Sequence, residues 1–229
     1  MISVVIPALN AEASLPTALA ALVPAAADGL IREAIVVDGG STDLTVAIAE
    51  AAGADIVRAG GGRGGQLAAG AARARFPWLL FLHADTALEP GWEREASQFM
   101  HMVDAGTLVE TAAAFRFALD DLGWKPRLWE SGVALRCAAL KLPYGDQGLL
   151  IPRRVYQDIG GYRSLPLMED VELVRRLGRR RLVMLGARAT TSAERYRRDG
   201  YVRRSGRNLL CLTLYTLGVP MRVIRRVYG

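Results

Sequence analysis

Short apolar runs alternate along the chain with alanine-rich segments of helical length. This alternation is typical of a parallel sheet with helices on both faces. The predicted strands are 3–7, 33–38, 54–58, 77–82, 107–119, 148–152 and 182–185. The predicted helices are 12–22, one that begins near Ser41 or Thr42, 66–75, 91–103, 126–141, 169–177 and an amphipathic region from Tyr201 onward. We therefore predict an α/β fold, with a mostly parallel, Rossmann-like sheet and a C-terminal helical extension.

Length and composition favour one packed domain. Hydrophobic residues make up 51% of the 229 residues, which argues against a disordered or fibrous protein. A chain of this length normally forms one core, so we expect one domain over residues 1–200 and the helical extension over 201–229. Cys137 and Cys211 lack the spacing of a zinc or redox pair. We expect buried thiols in a reducing, cytoplasmic compartment.

Neither apolar end of the sequence has the pattern of a membrane segment. The first run has no basic leader and stops at Pro7, as a strand does and a signal peptide does not. The run over 209–219 reaches about half of the ~20 residues that a helix needs to cross a bilayer. We therefore predict no transmembrane span.

The net charge of +6 is unevenly distributed. From Arg175 onward there are fifteen arginines against only Glu194 and Asp199. Without interleaved aromatic residues or a nucleic-acid motif, this pattern argues against nucleic-acid binding. Together with the apolar run over 209–219, it leaves three interpretations of the extension: contact with an anionic membrane at its inner face, packing on the core, or a homodimer contact.

Polar residues follow successive predicted strands. Asn10 and Glu12 follow the first strand, Asp38 ends the second, Arg63 lies in the loop after the third, and Asp85 follows the fourth. Each alone is explained as a helix cap or turn residue. Because the carboxyl ends of parallel strands meet at one edge of a sheet, together they favour a ligand site there.

Several of these segments match a known family in order and spacing over about residues 2–180. The matching stretches are Val-Val-Ile-Pro-Ala-Leu-Asn-Ala-Glu at 4–12, Val-Val-Asp-Gly-Gly-Ser-Thr-Asp at 36–43, Leu-His-Ala-Asp-Thr at 82–86, and Gly-Gly-Tyr at 160–162 with Met-Glu-Asp-Val-Glu-Leu at 168–173. The chain thereby resembles the family 2 glycosyltransferases. The resemblance implies a GT-A fold and inverting, metal-dependent transfer of a sugar, typically a hexose, from a UDP-type or GDP-type donor to an acceptor hydroxyl.

The resemblance also implies roles for individual residues. The donor-binding half would span about residues 1–105 and the acceptor half about 106–200. Asp85 would bind Mg²⁺ or Mn²⁺, which prefer hard oxygen ligands. The residues expected around the nucleotide sugar are Pro7, Asn10, Glu12, Asp38, Arg63, Gln66, His83, Ala84 and Asp85.

The second half would supply the base and the acceptor contacts. Asp170, beside Glu169, corresponds to the base that takes the proton of the acceptor hydroxyl. Asp146 and Gln147, next to glycines, are candidates for the acceptor side, and a lipid-linked acceptor is one option. The family's usual acidic pair is incomplete, because His83 stands two positions before Asp85. His83 would line the ribose pocket, assist Mn²⁺, or be a polar residue satisfied at a strand end.

Three alternatives remain open from the sequence. Residues 60–65 satisfy Gly-x-Gly-x-x-Gly, with Asp85 twenty residues further on, as in nicotinamide-dependent oxidoreductases. The preceding strand is short and half polar, unlike the buried strand of that motif. A sugar nucleotidylyltransferase ranks lower because its glycine motif follows the first strand. A non-catalytic module that binds a nucleotide or a membrane surface is the third. Polymer synthesis is disfavoured, because residues 194–198 do not match Gln-x-x-Arg-Trp.

Overall fold

A computed structural model describes residues 1–109, 111–140 and 143–228, with side chains omitted at 139 and 140. The predicted strand over 107–119, helix over 126–141 and extension to 229 therefore each include a residue outside the described part. The strands there are β1 Ile2–Ala8, β2 Ile31–Asp38, β3 Asp55–Arg58, β4 Trp78–Phe81, β5 Thr86–Leu88, β6 Ala112–Leu119, β7 Leu149–Pro152 and β8 Leu182–Thr191. The α-helices there are α1 Leu15–Ala20, α2 Val23–Ala27, α3 Thr45–Ala51, α4 Gly62–Arg73, α5 Trp92–Asp104, α6 Trp124–Leu140, α7 Arg153–Asp158, α8 Glu169–Leu177, α9 Glu194–Asp199, α10 Tyr201–Thr216 and α11 Met221–Tyr228.

The described strands form one sheet in the order β3-β2-β1-β4-β7-β6-β8-β5. The pairs β1–β2, β1–β4, β2–β3 and β6–β8 are parallel, whereas β4–β7, β6–β7 and β5–β8 are antiparallel. The predicted fold class is confirmed: an α/β fold with a mostly parallel sheet surrounded by helices. The parallel half brings the carboxyl ends of β1, β2 and β4 to one edge of the sheet.

Apolar side chains fill both faces of the central strands. On β1, Val4 belongs to a cluster with α1 and α5, whereas Val5 belongs to a second cluster with α4, α7 and α8. Successive strand residues point to opposite faces, so a strand buried on both sides must be apolar throughout. Val4, Val5, Leu79 and Leu80 are all fully buried. This rigid centre holds the loops at its edge in place.

Several element boundaries differ from the sequence prediction. The predicted helix over 12–22 is replaced by α1 and α2, each with a proline in its first turn, since proline fits a helix start and breaks a helix interior. Helix α4 begins at Gly62, so Arg63 lies in its first turn and not in a loop. Strand β8 runs to Thr191, beyond the predicted 185, because it pairs with both β6 and β5. The sequence analysis did not predict β5, α7 or α9.

Helices α10 and α11 fold back onto the rest of the chain. Cys211 and Ile224 are fully buried in a cluster with Met168 and Val171, which flank the start of α8. Packing on the core, one of the three interpretations of the extension, is therefore what the structure contains. In the described part of the chain, no helix combines the length and the apolar character that a bilayer crossing requires.

Candidate functional site

Two adjoining cavities lie at the carboxyl edge of β1 and β4. The larger has a volume of about 510 Å³ and the smaller about 110 Å³. The residues that line both are Arg63, His83, Asp85, Leu167, Ser192, Arg195 and Tyr228. The two spaces are therefore parts of one cleft, joined where β4 ends and α4 begins.

Most of the predicted donor residues line the larger cavity. They are Pro7, Asn10, Arg63, Gln66, His83, Ala84 and Asp85. Pro7 comes from β1, Gln66 from α4, and His83 to Asp85 directly follow β4. These segments therefore meet at one cavity, and the contact of their residues with a nucleotide sugar stays a prediction.

Glu12 and Asp38 line neither cavity. Glu12 accepts a hydrogen bond from the backbone N–H of Leu44 at 2.9 Å, and buried Asp38 accepts N–H groups of Gly40 and Ser41 at 3.2 and 3.0 Å. Burial raises the pKa of Asp38, but the hydrogen bonds from Ser41 and Gly40 outweigh it and lower the pKa overall. Both carboxylates thus hold the loop after β2 in shape, and their contact with a nucleotide stays a prediction.

Two amide side chains connect the strands that border the larger cavity. Gln66 is buried, and its Nε2 donates to the carbonyl oxygens of Ala8 at 2.9 Å and Val37 at 2.7 Å. Asn10 has a left-handed φ of 49°, and its Oδ1 accepts the N–H of Thr42 at 2.9 Å. These bonds fix the ends of β1 and β2 relative to one another.

An ion pair crosses the boundary between the cavities. Arg63 Nη1 lies 3.6 Å from Oε1 of Glu169, whose side chain is only 3% exposed. Burial, followed by the charge of Asp170, raises the pKa of Glu169 to about 7 although Arg63 opposes the shift. The ion pair with Glu169 holds Arg63 at the junction.

Asp170, Gly145 and His83 meet at the wall of the smaller cavity. The N–H of Gly145 donates to Oδ2 of Asp170 at 2.6 Å. A Cβ on Gly145 would lie 2.5 Å from Nε2 of His83 and 3.5 Å from Oδ2 of Asp170. Only glycine permits this approach. Burial, then the charges of Arg63 and Arg195, lower the pKa of His83 well below its ordinary value, so its imidazole is neutral at pH 7.

Asp146 and Gln147 have different environments although they are neighbours. Asp146 lines the smaller cavity, and its buried Oδ1 has no hydrogen-bond partner among the described residues. Burial raises the pKa of Asp146 to about 6. Gln147 lies outside both cavities, with Nε2 bonded to the carbonyl of Phe115 at 3.0 Å and Oε1 accepting from Tyr144 N and Arg136. Of the two acceptor-side candidates, only Asp146 is accessible to a ligand.

Other lining residues were not among the predicted ones. They are Tyr144, Ser192, Arg195, Tyr196, Arg204, Asn208, Arg225 and Tyr228. Most come from the arginine-rich region that sequence patterns assign to a solvated or membrane-facing surface. Arg195 and Tyr196 belong to the segment that was compared with Gln-x-x-Arg-Trp and did not match it. The only sequence feature that indicated these lining residues is a basic residue followed by an aromatic one in that segment.

A family comparison decides the class of protein. The sequence model for Glycosyl transferase family 2 matches residues 3–127, more than half of the chain. The chain belongs to this family. A search of curated proteins finds no match. As a family 2 glycosyltransferase, the chain is an enzyme, and the oxidoreductase, nucleotidylyltransferase and non-catalytic alternatives are set aside.

Solved structures of glycosyltransferases share the fold of this family 2 member. Glucosyl-3-phosphoglycerate synthase from Mycobacterium tuberculosis, in complex with Mn²⁺ and UDP-glucose, is 20% identical with a TM-score of 0.64, over 96% of this chain and 80% of that one. The same enzyme with Mn²⁺, UDP and glucosyl-3-phosphoglycerate is 21% identical with a TM-score of 0.60, over 96% and 81%. S. aureus TarS is 17% identical with a TM-score of 0.61, over 93% of this chain and 39% of that one. At these identities the likeness concerns the GT-A fold alone.

The glycine run of this glycosyltransferase has a packing role that explains its composition. A Cβ on Gly64 would lie 2.2 Å from the carbonyl oxygen of Arg163, and one on Gly65 would lie 2.6 Å from that of Gly60. Strand β3, which precedes the run, is an edge strand of the sheet. The glycines thus permit α4 to begin against neighbouring backbone, without a dinucleotide to account for them.

Proposed function

We propose that this chain transfers a sugar from a nucleoside diphosphate donor to an acceptor hydroxyl with inversion at the anomeric carbon. One observation carries the proposal: a cavity of about 510 Å³ meets a smaller cavity that is richer in carboxylates, arginines border both, and Arg63 and Asp85 belong to both. The larger volume is in the range of small-molecule sites. The donor would occupy it with its sugar directed towards the junction.

We propose that the base lies in the smaller cavity and that the donor's diphosphate binds from the larger one. Arg63 and Arg195 are placed to bind the donor's diphosphate, since guanidinium groups form charge-assisted hydrogen bonds with phosphate oxygens. Structural relatives crystallised with UDP or UDP-glucose support a UDP-type donor over a GDP-type one.

The described side chains alone do not form a metal site, so a divalent cation would bind here together with the nucleotide sugar. Among the described residues, no group of three or more His, Cys, Asp or Glu side chains is arranged to hold a metal. Mg²⁺ commonly takes one or two carboxylates and completes its shell with phosphate oxygens and water. Asp85, which lines both cavities, would provide the carboxylate for Mg²⁺ or Mn²⁺. When bound, such a cation neutralises charge on the diphosphate leaving group. Relatives in complex with Mn²⁺ or Mg²⁺ and UDP support this assignment.

The transfer step needs a group that removes the acceptor proton. In the proposed step, Asp170 takes the proton from the acceptor hydroxyl, the acceptor oxygen bonds to the anomeric carbon, and the bond from that carbon to the diphosphate oxygen breaks. Each oxygen of Asp170 already accepts one N–H group, from Gly145 or from Val171, and a carboxylate oxygen retains a second lone pair. Glu169 would keep Arg63 in position.

Asp146 is a second candidate for the base. Asp146 lines the smaller cavity, its buried Oδ1 has no hydrogen-bond partner among the described residues, and its pKa of about 6 lies closer to neutral pH than that of an ordinary aspartate. If Asp170 is the base, Asp146 would instead bind a neighbouring hydroxyl of the acceptor. With a volume of about 110 Å³, the smaller cavity holds only the reacting end of an acceptor.

The proposal is tested by turnover. UDP-sugars and GDP-sugars are incubated with and without Mn²⁺, free nucleoside diphosphate is measured, and the anomeric configuration of the product is read by NMR. We expect release from a UDP-sugar that rises with Mn²⁺ and a product of inverted configuration. A product with retained anomeric configuration would exclude the single-displacement step. No release from any donor in the presence of acceptor extracts would remove the transferase assignment of this cleft.

The remaining expectations about partners and organisation stay proposals. Leu209, Leu217 and Val223 are exposed on α10, α11 and the turn between them, which keeps contact with an anionic membrane and a lipid-linked acceptor in the proposal. Liposomes containing anionic lipid at low salt test it, and absence of binding would exclude it. A homodimer is tested by sedimentation. The division into a donor half over about 1–105, an acceptor half over about 106–200 and an extension is also a proposal.

A further inference from the structure

The helices α10 and α11 are attached to the segment that carries the acidic pair. Ile224 of α11 and Cys211 of α10 are fully buried against Met168 and Val171. These two residues directly flank Glu169 and Asp170. The position of α11 is therefore fixed relative to the cleft.

Helix α11 contributes side chains to the cleft itself. Arg225 lines the larger cavity, and Tyr228 lines both. They are three residues apart and so lie on one side of the helix. Arg222 and Arg226, on the same helix, are exposed and line neither cavity. All three arginines of the helix are exposed, and Arg225 alone among them also borders a cavity of the cleft.

The arginines of the larger cavity differ in their partners. Arg63 is paired with Glu169, whereas neither Arg195 nor Arg225 has a described carboxylate oxygen within 4.0 Å. A guanidinium group that faces a cavity without a counter-ion attracts an anion there. The donor's diphosphate is the anion that the proposed reaction brings into this space.

Tyr228 occupies the boundary between the two spaces. Its ring is packed beneath the guanidinium of Arg207, with Cζ 5.3 Å from the ring centroid, a geometry that favours a cation–π contact. The ring is therefore held from the α10 side and faces the cleft on the other.

We propose that α11 is part of the donor site: Arg225 binds a diphosphate oxygen of the donor, and the ring of Tyr228 forms the wall between donor and acceptor. This inference rests on the proposed function, which gives α11 no role in donor binding. It makes the arginine-rich extension a component of substrate binding and not only a surface element.

The test of Arg225 uses inorganic pyrophosphate as the probe, because it needs neither the correct base nor turnover. Binding to the full chain in the presence of Mg²⁺ is measured by calorimetry for the wild type and for Arg225→Gln. Arg222→Gln and Arg226→Gln are matched controls that remove the same charge from the same helix. We expect the Kd to rise about ten-fold for Arg225→Gln and less than two-fold for each control. Equal effects in all three variants would reduce the inference to a general charge effect and overturn it, as would absence of pyrophosphate binding by the wild type.

The test of Tyr228 separates its ring from its hydroxyl. Tyr228→Phe keeps the wall, and Tyr228→Ala opens it. With UDP and Mg²⁺ as the probe, we expect Tyr228→Ala to weaken binding about five-fold and Tyr228→Phe to bind within two-fold of wild type. Thermal unfolding of each variant identifies loss of folding, and only variants with wild-type unfolding count. Equal binding by the folded alanine variant would remove Tyr228 from the site. Loss of transfer with pyrophosphate binding intact would count against the proposed reaction and not against this inference.

Discussion

Carboxylates in the two halves of the chain have opposite environments. Asp38, the last residue of β2, and Asp43, in the loop after it, accept hydrogen bonds from backbone N–H groups and hydroxyls, and these bonds outweigh burial and lower the pKa of each. Asp146 and Glu169, in the second half, have fewer donors, and burial raises the pKa of each, to about 6 and about 7. The same side chain thus holds a loop in one place and remains available for chemistry in the other. The balance between burial, which raises the pKa, and hydrogen-bond donors, which lower it, differs between the two pairs.

The largest effect is expected from removing the proposed base. Asp170→Asn should lower kcat about 10³-fold and leave UDP binding unchanged, because a positioned base contributes 10²–10⁴-fold. Asp158→Asn, on the exposed surface of α7, is the matched control. Single-turnover transfer and UDP calorimetry measure the two quantities. A 10³-fold loss in Asp146→Asn with a small loss in Asp170→Asn would assign the base to Asp146.

The next largest effect concerns Asp85. Asp85→Ala should remove the stimulation by Mn²⁺ and lower turnover about 10²-fold, since the proposed carboxylate ligand is lost. Mn²⁺ titrations with and without UDP, followed by electron paramagnetic resonance, measure binding. We expect tight Mn²⁺ binding by the wild type only when UDP is present. Mn²⁺ stimulation that persists in Asp85→Ala would place the cation elsewhere.

The close contact at Gly145 should give a smaller loss. In Gly145→Ala the new Cβ must displace His83 or the bond to Asp170, so we expect turnover to fall about ten-fold to a hundred-fold. Gly132→Ala, in α6, meets no atom within 4 Å and is the control. Wild-type kcat in Gly145→Ala would mean that this wall tolerates movement.

The smallest expected effect is a change in the free energy of unfolding. It tests the comparison most directly, because its sign should differ between Asp38 and Asp146. The lowered pKa of Asp38 stabilises the fold above pH 3.8, the ordinary pKa, and that contribution is lost as the pH falls through the folded value. Asp38→Asn should therefore reduce the free energy of unfolding by about 1–2 kcal/mol at pH 8.

Asp146 should behave oppositely. Its pKa is raised from 3.8 to about 6, so ionisation costs stability above pH 6 and nothing below pH 3.8. Asp146→Asn should increase the free energy of unfolding by about 1–2 kcal/mol at pH 8 and have little effect at pH 3.5. Urea denaturation at both pH values measures this. A loss of stability in both variants would contradict the contrast between the halves.

The sequence predicted the parts of the molecule that local patterns determine. The continuous apolar runs of β1 and β4 and the pattern of helix α8 over 169–177 are strong local signals, and these elements bring Pro7, Asp85 and Asp170 to one cleft. Helix α4 was predicted to begin at Gln66 because glycine is a poor helix former. Its earlier start depends on contact with the backbone near Arg163, a hundred residues away in sequence.

The roles of individual polar residues were harder to predict. Asp38 and Gln147 follow the family pattern or sit beside glycines, yet their polar atoms are bonded within the protein. Arg225 and Tyr228 belong to no sequence motif. The packing of α11 against Met168 brings them to the cleft. Such long-range packing is not expressed in the local pattern of the sequence.

The position of α11 has a consequence for biosynthesis. The strands β1 to β4 come early in the sequence and have the contacts to form early, but the wall that includes Tyr228 forms only after α11, which follows all eight described strands, has been synthesised. Domains commonly fold from the N-terminus during translation. The nascent enzyme would therefore carry an open, unfinished cleft until α11 has been synthesised and packed, and would acquire its full affinity for substrate only then.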